Sequence, residues 1–190
     1  VTRLFWVRHG PTHASTMVGW SDLPADLADR ARLARLAAHL PRAARVVSSD
    51  LVRATDTAAA IAGDRPRLPP EPDLREIHFG DWELQPFDQV PDQDRLRAFW
   101  DRPGEIRPPG GESWNQLRAR VDAAVARLLA RHPGCDIVAV AHMGPILAQV
   151  QGALGISAYQ AFGHRIAPLS VTEMHHHAGG WHVATINHCP

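Results

Sequence analysis

Three stretches of the chain carry side chains able to grip a phosphoryl group, and each directly follows a short apolar run: Arg8-His9-Gly10, Ser48-Ser49-Asp50 continuing to Arg53, and Ala141-His142-Met143-Gly144. A neutral imidazole is a competent nucleophile toward phosphorus, and neighbouring cations disfavour its protonation. His9, with Arg8 and Arg53, is therefore the candidate nucleophile. The planar donors of the two arginines suit the three oxygens of a phosphoryl group in transfer. His142 stands between a strand end and a helix start, where it can donate to the same oxygens and stabilise the transition state. A leaving alkoxide also needs a proton, and the loop Leu74–Glu83 carries carboxyl groups for it, Glu76 and Asp81 among them. Taken singly, these residues have duller explanations: a histidine at a buried strand end is more often structural, and an arginine in a first helical turn is usually solvated. Two histidines at separate strand ends beside two arginines outweigh those explanations. With arginines and histidines supplying the electrostatic stabilisation, no metal or cofactor is expected.

The elements that must position these residues are legible in the apolar pattern. Leu4–Val7, Arg45–Ser48 and Ile137–Ala141 are apolar runs without alternation, as in strands buried on both faces. Helical spacing follows over about Leu27–Leu40, from a Ser49 or Asp50 cap to about Ala62, over Ser113–Arg131, and from Gly144-Pro145 to about Leu154. Ser170–His177 and Trp181–Ile186 read as a hairpin around Gly179-Gly180. Residues 84–111 are polar and proline-rich apart from Leu96–Trp100, and form an expected excursion over the site, a candidate lid. Strands alternating with helices predict a single domain over 1–190, a three-layer α/β/α sandwich with a largely parallel central sheet. Such sheets bind ligands beyond the carboxyl ends of their strands, and His9, Arg53 and His142 all lie there.

Composition narrows the chemistry. Twenty basic residues balance twenty acidic ones, so no broad positive field is available, and neither a nucleic-acid nor a membrane partner is expected. There is no lysine, which excludes P-loop ATPases and Schiff-base enzymes. Cys135 and Cys189 form neither a metal-type pair nor a disulfide framework. The core-like Leu4-Phe5-Trp6-Val7 begins almost at the first residue, so a cytoplasmic protein without signal peptide or membrane span is expected. His175-His176-His177 cannot converge on one metal, because successive strand side chains point to opposite faces.

In their order along the chain, these blocks resemble the histidine phosphatase superfamily in its phosphoglycerate-mutase-like branch. Arg8-His9-Gly10-Pro11-Thr12 is similar to the family signature, Ser48–Ala54 to its second arginine motif and Leu74–Glu83 to its acid-bearing loop. Pro109-Gly110-Gly111-Glu112-Ser113 and Ala141–Gly144 complete the series, which covers about residues 3 to 186. The resemblance implies Glu76 as the proton donor, with Asp81 in reserve, and places Gly10, Thr12, Ser15, Trp82, Met143 and Gly144 at the substrate. It implies a metal-independent phosphomonoesterase that forms a phosphohistidine on His9 and acts on a small phosphorylated metabolite. The likeness is to small bacterial broad-specificity and α-ribazole phosphatases.

The alternatives are an α-ribazole 5′-phosphate phosphatase of cobalamin synthesis, a phosphoglycerate mutase, and a noncatalytic phosphate-binding domain. A mutase implies more enclosing insertions than this chain carries, and the retained nucleophile, clamps and acid argue against a silent domain. Three positions depart from the pattern: Ser15 stands where asparagine is frequent, Met143 where many phosphatases have glycine, and Pro11 lacks an N–H. These bear on rate and specificity more than on reaction type.

Overall fold

Alternation along the first strand, β1 (Thr2–Arg8), divides the interior in two. Leu4 and Trp6 enter a cluster of 26 buried residues, while Phe5 and Val7 enter one of 15 on the opposite face. The computed structural model describes residues 1–190. Its sheet adds β2 (Arg45–Ser48), β3 (Ile137–Ala141), β4 (Val171–His177) and β5 (Gly180–His188), in the order β2-β3-β1-β4-β5. β2, β3 and β1 pair in parallel, and β4 runs antiparallel to both its neighbours, so four of the five strands point the same way. The C-terminal hairpin thus extends the sheet from the free edge of β1.

Helices α1 (Arg30–His39) and α2 (Val52–Ala62) cover the smaller cluster with Leu33, Leu36, Ala54, Ala58 and Ile61. On the other face lie α3 (Gln93–Asp101), α4 (Trp114–Arg131), α5 (Met143–Leu154) and the short α6 (Ala158–Ala161). This is the expected three-layer arrangement. α4 begins at a capping box, in which Ser113 and Gln116 each bond the other's backbone N–H.

Some boundaries differ from the sequence reading. α1 starts at Arg30, after an Asp29 cap bonded to the Arg32 N–H, so Leu27 precedes the helix. Neither Ser49 nor Asp50 caps α2. Ser49 bonds His142 and Asp50 holds Arg75 through two 2.6 Å contacts, so the first-turn Val52 N–H is taken by Asp22 from a distant loop. Within the expected excursion 84–111, α3, capped by Asp92, sends Leu96 and Phe99 into the larger cluster. His175 pairs with Glu173 at 2.7 Å, and the neighbouring His176 lies against Trp181. No helix is long and apolar enough to cross a membrane.

Candidate active site

β1 ends at Arg8, and the His9 N–H continues the ladder by donating to the Ala141 carbonyl at the end of β3. His9 is 93% shielded from solvent by its relative area. Its Nδ1 lies 2.6 Å from the Gly10 carbonyl, an acceptor only, so the ring proton belongs on Nδ1 and Nε2 carries the lone pair. Arg53 Nε donates to that Nε2 at 3.3 Å. Burial foremost, with Arg53 and Arg8 adding to it against the Gly10 hydrogen bond, lowers the His9 pKa to about 3. The imidazole is therefore neutral, with its free nitrogen turned to the cation.

Arg53 is a buried guanidinium whose direction is set by backbone carbonyls. Its Nη2 donates to Gly19 at 2.6 Å and its Nη1 to Ser21 at 2.8 Å. The loop carrying those carbonyls is itself fastened by Glu83, whose carboxylate accepts from the Gly19 and Ser21 N–H groups. Arg8 is anchored through Nη1 to the Ile166 carbonyl at 2.6 Å, and its Nε is buried with no hydrogen-bond partner. His142 is fully buried, its ring centroid 5.0 Å from that of His9 and its Nε2 2.7 Å from Ser49 Oγ, while Nδ1 has no partner. Burial, reinforced by His9 and Arg53, holds the His142 pKa well below the ordinary value.

Glu76 completes the group. Its Oε1 accepts from the Ile77 N–H at 2.8 Å, and both oxygens accept from the Gly144 N–H at 3.2 Å, at the start of α5. Burial raises its pKa, and those hydrogen bonds and the two arginines only partly oppose the rise. The backbone carbonyl of Glu76 accepts from Arg120 and from the Trp20 indole, and Arg120 also bonds the Asp73 and Arg75 carbonyls and the Glu112 carboxylate. This rigid frame aims one carboxyl group into the site.

Arg8, His9, Thr12, Arg53, Glu76 and Met143 line one pocket of about 180 Å³, walled also by Met17, Val18, Phe79, Phe87 and Trp100. Four positions expected at the substrate do not line this pocket. Ser15 is exposed between Ala14 and Thr16, which do line the pocket, in a segment turned by the left-handed His13 (φ 59°). Gly10 donates its N–H to Thr57, and a Cβ there would lie 2.7 Å from Leu27, so it is a packing glycine. Gly144 serves Glu76. Trp82 is buried against Phe99, and Trp100 supplies the indole wall in its place. Asp81 is exposed and does not line this pocket, whereas the buried Glu76 does. Sequence reasoning missed Ser49 and Glu83 as supports, although both sit inside the quoted motifs.

Known proteins share this fold. The bifunctional protein Rv2228c of Mycobacterium tuberculosis is 32% identical over 194 residues, covering 92% of this chain and 50% of that protein. The chain spans about half the length of the first curated relatives it matches. Bacillus stearothermophilus YhfR superposes with a TM-score of 0.91 at 27% identity, over 100% of this chain and 98% of that one. A mycobacterial glucosyl-3-phosphoglycerate phosphatase, solved with inorganic phosphate, gives 0.85 at 29% identity over 98% and 97% of the two chains. With residues 4–188 matching the family as a whole, the chain belongs to the histidine phosphatase superfamily (branch 1).

Proposed function

We propose that the protein hydrolyses a small phosphomonoester through a phosphohistidine on His9. The observation that carries this reading is the His9 ring itself: Nδ1 is tied to the Gly10 carbonyl at 2.6 Å, and Nε2 is left unprotonated beside Arg53. Nε2 attacks phosphorus as the ester P–O bond breaks, and the bonding pair leaves on the alcohol oxygen. Glu76 protonates that oxygen. Both oxygens accept from the Gly144 N–H but only Oε1 also accepts from Ile77, so the proton is assigned to the less engaged Oε2. Arg8, Arg53 and His142 stabilise the charge on the three equatorial oxygens. Water then attacks the phosphohistidine, giving a proton to the Glu76 carboxylate, and the N–P bond breaks to release phosphate and restore His9.

A relative named as a phosphatase and solved with inorganic phosphate supports hydrolysis. The test is release of p-nitrophenol from its phosphate in the presence of a chelator, comparing the protein with His9→Ala. The expected loss is at least about 10³-fold, the scale reached when a nucleophile is removed. Equal activity in the two proteins rejects the mechanism.

A further inference from the structure

Beside the phosphate pocket lies a second chamber of about 200 Å³, and the two share Glu76, Phe79, Trp100 and Met143 as common walls. The rest of the chamber is apolar, closed by Phe99, Trp114, Leu147 and Phe162 with Ile77 and Gly144. Its rings brace one another: Trp114 meets Phe162 edge-on at 4.8 Å, Phe99 meets Trp100 edge-on at 5.0 Å, and Trp100 lies 5.8 Å from Phe162. The only ionisable side chain among the ten lining residues is Glu76, the group assigned to protonate the leaving oxygen.

We infer that this chamber receives the alcohol half of the ester, and that the preferred substrates are phosphomonoesters of neutral, apolar alcohols bearing a ring. The inference rests on the hydrolytic reading above and deepens it. An alcohol leaving from phosphorus must place its oxygen at Glu76, and Glu76 is where the two pockets meet. The size fits, since a dry apolar cavity of roughly 150 Å³ admits a benzene ring. The chemistry discriminates as well. A carboxylate on the alcohol, as in a phosphoglycerate, would meet no cation in the chamber and would lie against Glu76, and the hydroxyls of a sugar would find almost no partners. Met143, at the junction, sets how far a ring can pass from one pocket into the other.

The test compares primary alkyl esters, whose leaving groups are of similar intrinsic reactivity. Phosphate release is measured for 2-phenylethyl phosphate, ethyl phosphate, glycerol 1-phosphate and 3-phosphoglycerate. Expected is a kcat/KM for the phenylethyl ester at least about tenfold above each of the others, the scale on which apolar pockets discriminate. Phe162→Ala should shrink the phenylethyl-to-ethyl ratio. Leu147→Phe, which fills the chamber rather than opening it, should shrink it too. A second readout does not need turnover: calorimetric binding of the same esters to His9→Ala, with the phenylethyl ester again at least about tenfold tighter than the ethyl ester. Equal values for phenylethyl and glycerol esters in both assays overturn the chamber assignment and leave hydrolysis standing. No release from any ester by the unaltered protein, together with tighter binding of the phenylethyl ester, overturns hydrolysis and retains the chamber.

Discussion

The Gly144 N–H donates to both carboxyl oxygens of Glu76 at 3.2 Å, and a Cβ on residue 144 would lie 2.1 Å from Oε1. Glycine is required there by the close approach of the acid, not by backbone conformation. Gly144→Ala should fold, because helix α5 favours alanine, but it should displace the carboxyl group. A displacement of this size costs about 10²-fold in kcat. Unchanged turnover with an unchanged melting temperature would remove Glu76 from the mechanism.

Glu76 also sets a pH dependence. Its pKa is raised in the folded protein, so above the ordinary carboxyl value of 4.5 the folded state retains a proton that the unfolded chain has lost. Stability from this group declines as pH rises through the raised value, and so does the supply of acid for the leaving group. Glu76→Gln should therefore be slower than the unaltered protein at low pH, lose the basic limb of the rate profile, and unfold at higher urea than the unaltered protein at about pH 8. His9 acts in the opposite sense. With its folded pKa near 3, it takes up a proton on unfolding below its ordinary 6.5, so its contribution lowers stability as pH falls through that window. A urea midpoint for Glu76→Gln below that of the unaltered protein at alkaline pH would contradict the raised acid.

Arg120 should matter chiefly to stability. One guanidinium joins the carbonyls of Asp73, Arg75 and Glu76 to the Glu112 carboxylate, with side-chain exposures of 16% and 13% for the ion pair. Arg120→Ala would leave three carbonyls and a largely buried carboxylate without this partner, for a loss of about 3 kcal/mol by urea unfolding. A loss below about 1 kcal/mol would mean the frame is held by packing alone.

Glu83 should act on phosphate affinity through Arg53. Its carboxylate fastens the loop whose Gly19 and Ser21 carbonyls orient the Arg53 guanidinium. Glu83→Ala should weaken inhibition by inorganic phosphate about tenfold and reduce kcat/KM in parallel. Inhibition unaffected by the substitution would show that Arg53 keeps its direction without the loop.

The fold was legible where burial leaves a one-dimensional trace. β1 and β3 lie between two apolar layers and read as unbroken apolar runs, and α4 shows itself by the helical spacing of its buried Trp114, Leu117, Val121, Val125 and Leu128. His9, Arg53 and His142 were legible because parallel strands deliver their carboxyl ends to one edge of the sheet. The failures are residues whose partners are remote in sequence. Ser49 and Asp50 suit a helix cap by local rules, yet His142, 93 residues on, and Arg75, 25 residues on, take their side chains. Trp82 and Trp100 look alike as letters. Which one lines the pocket depends on the turn Gly80–Trp82, where Gly80 adopts φ 54° with its missing Cβ 2.2 Å from the Pro109 carbonyl.

The two apolar clusters on either side of the sheet each seat part of the site. α2, which brings Arg53 to His9, is seated in the smaller cluster, whereas Phe79, Phe99, Trp114 and Leu147 belong to the larger one. On the proposed reading, Arg53 and the outer wall of the alcohol chamber thus rest on separate foundations, while Glu76, Phe79, Trp100 and Met143 belong to both pockets. Residues that line only the chamber, such as Leu147 and Phe162, are therefore the positions to exchange for new alcohols while the seat of Arg53 stays intact.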